Sequence, residues 1–167
     1  VSPLDFKEFD VACLSGSNGH GKSAILDAMT WALWGEARKA AGEKSPSDGL
    51  LRIGTPEMQV ELVFDLEGDR YRVIRNYHRK TRRIRLDFHV FDENSHTYKS
   101  LSERTIGETQ KKITTTLRME YDTFINSAFI LQGRVDEFTK KTAHKRKEIL
   151  AEILDLSHYD RLAELAK

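Results

Sequence analysis

Gly16, Ser17, Asn18, Gly19, His20, Gly21, Lys22 and Ser23 constrain this chain more than any other stretch. They fit G-x-x-x-x-G-K-[ST], the pattern of a loop that wraps a polyphosphate. The chemistry explains the residue types. The chain must turn sharply while its backbone N–H groups point inward, and glycine permits the dihedrals and the close approach. The helix that follows adds the partial positive charge of its N-terminus. In such a loop residues 17–24, from Ser17 to Ala24, surround the phosphates, the Lys22 ammonium reaches the β- and γ-phosphates, and the Ser23 hydroxyl ligates magnesium. ATP and Mg2+ are therefore the expected cofactors. A loop of this kind does not name a reaction, because kinases, G proteins, motors and transport-type ATPases all use one.

Charge narrows the partners. Over all 167 residues, 27 Lys and Arg oppose 26 Asp and Glu, so the whole chain offers a polyelectrolyte no bulk attraction. The distribution is uneven. Residues 1–69 carry 6 basic and 12 acidic side chains, whereas residues 70–85 carry 8 basic and none acidic. That local field can attract phosphate. No apolar run approaches the roughly 20 residues a bilayer demands, and no signal peptide is read at the start. A single cysteine, Cys13, excludes an internal disulfide framework and a cysteine zinc site.

Periodicity predicts the elements. Residues 9–15, FDVACLS, read as a short buried strand entering the phosphate loop, with Cys13 as a small buried hydrophobe. Ser23 to Trp34 reads as an apolar helix that Gly35 stops, with Trp31 and Trp34 as core anchors. Residues 36–57 read as a surface loop with one short helical turn. Three alternating segments follow: Val60, Leu62, Phe64, Leu66; then Tyr71, Val73, Tyr77; then Ile84, Leu86, Phe88, Val90. They predict an antiparallel meander. Thr105 to Leu117 reads as an amphipathic helix, and Tyr121 to Leu131 as a second helix or a helix followed by a strand. From His144 onward Ile149, Leu150, Ile153 and Leu154 recur at helical spacing, and Ser157 with Asp160 forms a capping-box pattern. Leu162 and Leu165 lie on that last helix, which carries no stop signal before Lys167.

Gln132 ends the apolar run Phe129–Leu131, 110 residues after Lys22. Read alone it is a surface glutamine before a turn or a ligand for metal and water, and one residue does not decide. Joined to the loop, the pattern is specific. Residues 11–34, VACLSGSNGHGKSAILDAMTWALW, and 124–156, FINSAFILQGRVDEFTKKTAHKRKEILAEILDL, resemble the amino-terminal ATPase half of the Rad-fifty/SbcC family, SMC-like ABC-type ATPases of DNA double-strand-break repair. The resemblance implies an α/β P-loop NTPase fold: half of an ABC-ATPase-like head, with an antiparallel β-meander and the root of a coiled coil. It implies an amino-terminal lobe over residues 1–143 and the start of the coiled-coil helix over residues 144–167. By the resemblance Gln132 is the Q-loop residue, acting with Lys22 in catalysis and with Ser23 at the metal.

Three family features have no match here: the Asn-Phe-type loop of the first strand, an apolar strand ending in Asp-Glu, and a Leu-Ser-Gly-Gly signature. The resemblance thus implies an ATPase that needs a carboxy-terminal half, a second head, and a nuclease of the Mre-eleven/SbcD type docked near the coiled-coil root. Double-stranded DNA is the further expected partner and a membrane is not. Such a protein works in the cytoplasm at the nucleoid, or in the nucleus of a eukaryote. Arg70, Arg72, Arg75, Arg79, Lys80, Arg82, Arg83 and Arg85 read either as a solvated edge hairpin or, by the resemblance, as a DNA contact made by Arg79, Lys80, Arg82, Arg83 and Arg85. Two other readings remain open: a nucleotide or small-molecule kinase, and a nucleic-acid-binding module whose phosphate loop does not hydrolyse.

Overall fold

A computed structural model describes residues 4–9, 11–17, 21–37, 46–127 and 141–153. Helix α1 spans Lys22–Trp34 and α2 spans Pro46–Leu50. Four strands follow, β1 (Glu57–Leu66), β2 (Asp69–His78), β3 (Arg83–Asp92) and β4 (Thr97–Ser100). Helices α3 (Ile106–Leu117), α4 (Tyr121–Ser127) and α5 (Ala143–Ile153) complete the order. No helix among the described residues is long and apolar enough to cross a membrane.

The predicted meander forms, in the order β1-β2-β3-β4 and antiparallel throughout. Glu67 and Gly68 both take positive φ (52° and 94°), the two-residue turn that matches strand twist. Register places Leu62, Val73 and Phe88 in one row and Phe64, Tyr71 and Val90 in another. Phe64, Tyr71 and Phe88 stack at 5.6 Å between successive rings. Val73 and Phe88 are wholly buried against Leu33, Trp34 and Ile113, so α1 and α3 cover this face. Trp31 packs with Ala37 and Tyr77 in a second cluster, and its Nε1 donates to Ser47 Oγ at 3.0 Å. Both tryptophans are the anchors expected of them. Strand β4 escapes sequence reading because four residues, Thr97 to Ser100, are too few to show alternation. Its turn is held by the Asp92 carboxylate, which accepts from Asn94 N at 3.2 Å and Ser95 Oγ at 2.8 Å.

Three expectations need correction. First, residues 11–17 form no strand, and Val11 is 90% exposed. A strand exists only where its N–H and C=O groups pair, and none of β1 to β4 pairs with this segment. Cys13 is accordingly exposed. Second, the β2–β3 hairpin is an edge only in part: β1 pairs along the whole of β2, whereas β4 pairs only with His89–Asp92 of β3, so Arg83 and Arg85 lie on the stretch of β3 that no strand covers among the described residues.

Third, Arg75 is no part of a solvated surface. It shares the inward parity of Val73 and Tyr77 and is 3% exposed. Its Nε donates to Ala32 O at 3.1 Å, its Nη2 donates to Gln110 Oε1 at 2.5 Å, and Gln110 Nε2 donates to Leu33 O at 2.8 Å. The guanidinium also lies 5.8 Å from the centroid of the Trp31 ring. Burial pulls Arg75 down to about 10, so it remains charged at neutral pH. The carbonyls that receive this side-chain pair are at the negative end of α1, where a cation is favoured. Gly35 closes the same end with φ +73° and donates its N–H to Trp31 O at 2.8 Å. A Cβ on Gly35 would lie 3.1 Å from Arg75 Nη1.

Removing Arg75 leaves buried acceptors without donors. Arg75→Ala should cost about 3 kcal/mol in urea unfolding, and Arg75→Lys should recover little because one ammonium cannot serve both directions. Gly35→Ala should destabilise by more than about 1 kcal/mol through its positive φ and the contact with Arg75. A loss well under 1 kcal/mol for Arg75→Ala would show that this end of α1 is held by other contacts.

Asp92 supplies a pH test. Its hydrogen bond from Lys99 and then that from Ser95 hold its carboxyl down at about 2, against an ordinary 3.8. Because the folded value is depressed, the stabilisation is complete above the ordinary value and is lost as pH falls through about 2. An NMR titration of the Asp92 carboxyl should show that midpoint, and Lys99→Met should move it back towards the ordinary range.

Candidate functional site

Glycine geometry builds the loop before α1. Gly16 has φ 151° and Gly21 has φ 79°, backbone shapes that side chains disfavour. Gly21 is the N-cap of α1 and offers no side-chain cap, while its carbonyl accepts from Ala24 N at 3.0 Å. The N-terminus of a 13-residue helix therefore opens onto the loop with no side chain of its own capping its first amides. Lys22 Nζ folds back to donate to Gly16 O at 2.7 Å and Ser17 O at 2.9 Å. An ammonium held by two carbonyl oxygens can exchange them for phosphate oxygens with little change in its hydrogen bonding. Ser23, one residue on, is half-buried and Ala24 is exposed.

The loop residues that can be placed thus stand together: Ser17, Gly21, Lys22, Ser23 and Ala24. Asn18, Gly19, His20 and Gln132 lie outside the described residues, as do Leu162 and Leu165. Helix α4, which precedes Gln132 in the sequence, is joined to α1 by Trp34. That indole donates to Met119 O at 2.9 Å and lies 4.8 Å from the Phe124 ring. Glycine dihedrals, an uncapped helix start, one ammonium and one hydroxyl suit a polyphosphate with its magnesium ion. Among the described residues no group of three His, Cys, Asp or Glu side chains could hold a metal by itself.

The eight basic residues of 70–85 have three fates. Arg75 is buried, as described. Arg70 and Arg72 lie on the outer face of the sheet, already partnered. Arg70 Nε donates to Asp65 Oδ1 at 2.9 Å, and that hydrogen bond, with the one from Lys7, lowers the Asp65 carboxyl. Arg72 sits 3.9 Å from the Tyr98 ring centroid and 3.9 Å from Glu61. The remaining five gather where β2 turns into β3. Of these Arg79 is tied down: its Nη2 donates to Asp48 O at 3.3 Å and its Nε lies 3.9 Å from Asp48 Oδ1. Tyr77 OH donates to the same carboxylate at 2.8 Å, and burial raises its phenol above the usual range. Lys80, Arg82, Arg83 and Arg85 are exposed, and among the described residues no carboxylate lies within ion-pair distance of them. Arg83 and Arg85 do face away from Ile84 and Leu86, as alternation requires.

Sequence reasoning missed two contributors. Gln110 gives no signal within its own helix, since its meaning lies in the Leu33 carbonyl of α1 and the Arg75 guanidinium of β2. Arg52 and Ile53 sit in a turn beside the basic one, concealed in what reads as an undivided loop.

Known proteins share this pattern. The chain matches the model of a family described as AAA domain over residues 2–166. It is 30% identical to the SbcC component of the nuclease SbcCD of Deinococcus radiodurans across 99% of this chain and 18% of that protein. It is 33% identical to "DNA double-strand break repair Rad50 ATPase" of Thermoplasma volcanium across 88% of this chain and 15% of that protein. A "Probable DNA double-strand break repair Rad50 ATPase" of Aquifex aeolicus is 29% identical across 98% of this chain and 16% of its own length. The chain spans less than a fifth of the length of each of these curated relatives.

Proposed function

The chain belongs to the AAA-domain family, among Rad50/SbcC-like DNA-repair ATPases, and from that premise we propose that it is the amino-terminal, ATP-binding half of such an ATPase head. The observation that carries the proposal is the geometry at α1: a glycine-shaped loop, an uncapped helix N-terminus, and Lys22 resting on Gly16 O and Ser17 O. Residues 17–24 hold the triphosphate, with backbone N–H groups on its oxygens and the Lys22 ammonium spanning the terminal ones. The Ser23 hydroxyl and the Gln132 side chain hold magnesium. When bound, the ion neutralises charge on the phosphates and orients them for attack by water. The role of α1 is rigid support: its positive end faces the anion while Arg75 and Gln110 satisfy its negative end.

The remainder of the reading follows from the same premise. Residues 1–143 form the lobe and residues 144–167 begin a coiled coil. Hydrolysis needs the carboxy-terminal half of the head and a second head closing over the nucleotide. A nuclease of the kind named in the SbcCD relatives docks at the coiled-coil root and is governed by that closure. Duplex DNA binds the exposed basic turn formed by Lys80, Arg82, Arg83 and Arg85, with Arg79 at its base. Contacts of this type go to phosphates, so they carry affinity without sequence.

Lys22→Ala should weaken ATP–magnesium binding by about a hundredfold in calorimetry, the worth of a charge-assisted contact to phosphate. Unchanged affinity would remove the phosphate-loop reading. Anisotropy titrations of duplex DNA should give a salt slope that falls by roughly one unit for each of Lys80, Arg82 and Arg83 replaced by Ala. Matching slopes in variant and unaltered protein would place DNA elsewhere.

A further inference from the structure

One end of the sheet carries a feature that phosphate contacts alone do not use. Residues 52–55 make a tight turn immediately before β1. Thr55 N and Thr55 Oγ1 both donate to Arg52 O, at 3.1 and 2.8 Å, and Gly54 takes φ 86°. At the tip Ile53 is 96% exposed, whereas Leu51, two residues earlier, is buried in the core. The mounting is firm on both sides. Arg79 N donates to Pro56 O at 2.8 Å, so the turn at 52–55 and the basic turn at 79–82 lie side by side. Tyr77 and Arg79 hold Asp48 of α2, and Trp31 holds Ser47. A large aliphatic side chain thus projects into solvent from a rigid base, with Arg52 beside it and Lys80, Arg82 and Arg83 on the neighbouring turn.

We propose that the paired turns 52–55 and 79–82 form one prow that enters the minor groove of duplex DNA, with Ile53 wedged between stacked base pairs and the basic side chains on the flanking phosphates. This rests on the DNA-binding reading above and gives it a substrate geometry. Charge selects a polyanion. The apolar tip then selects a polyanion with an apolar interior, which a stacked duplex offers between its base steps. Side chains such as isoleucine enter through the minor groove and open it, at the cost of unstacking. Steps that unstack easily, TA and CA/TG, should be preferred, giving a modest sequence bias without hydrogen bonds to base edges.

The experiment uses the full-length protein and a duplex carrying 2-aminopurine at a single TA step. The unaltered protein should raise the probe's fluorescence and bind this duplex more tightly than one of the same length with an A-tract at its centre. Ile53→Ala should abolish the fluorescence rise and weaken binding by about tenfold, the worth of burying one such side chain, with the salt slope unchanged. Its melting temperature serves as the folding control, because Ile53 has almost no contacts to lose. The double variant Lys80→Ala, Arg82→Ala should instead lower the salt slope by about two units. If Ile53→Ala binds and reports as the unaltered protein does while the double variant loses slope, the wedge is wrong and the DNA reading stands. If both variants match the unaltered protein, the DNA reading falls with it. A fluorescence rise that survives Ile53→Ala, or a defect in self-association without one in DNA binding, would equally overturn the wedge.

Discussion

The Arg75 guanidinium sits where three elements meet: β2 supplies it, α1 receives it, and α3 steadies it through Gln110. A buried cation with no carboxylate near it among the described residues is costly unless its donors are used. Here they are used on the carbonyl end of α1, the place in an apolar core where negative partial charge is already concentrated. The arrangement sets the axis of α1 against the sheet, and so the direction in which its other end points. The phosphate loop is at that other end. Its own residues set its local shape; its position relative to the basic turns depends on a side chain that strand parity buries.

The same strand divides its charges by parity and distance. Arg70 and Arg72 face outward and are offset by Asp65, Glu61 and the Tyr98 ring. Arg79 is held at the base of the turn by Asp48. Only beyond that point do cations stand exposed without a nearby carboxylate among the described residues. Half of the eight basic residues of 70–85 are thus buried or paired, and the other half gather at one end of the sheet, where they can attract a polyanion. Beside it the Arg52–Thr55 turn contributes a charge and an aliphatic tip.

Much of the architecture was legible beforehand. Alternation located β1, β2 and β3, and amphipathic spacing from Thr105 to Leu117 located α3, at whose start the structure adds a capping box between Thr105 and Glu108. Gly35 stopped α1 as expected. Two of the corrected readings failed for different reasons. Residues 9–15 hold a short apolar run like that of a buried strand, yet pairing belongs to two segments and the apolar pattern of one cannot supply a partner. Arg75 was grouped with its basic neighbours by composition, although its spacing from Val73 and Tyr77 already put it inside.

By itself the sequence determined the local chemistry: glycines where φ must be positive, a lysine and serine at the head of a helix, strand faces of fixed parity. These are set by bonded geometry and by neighbours a few residues away. Only the tertiary structure decided which of the seven cations besides Arg75 are paired or exposed, that Gln110 ties α3 to Arg75 and to the end of α1, and that the turns at 52–55 and 79–82 stand together. Those outcomes depend on groups up to 77 residues apart in the chain, and the energy of a charge is set by what surrounds it in space.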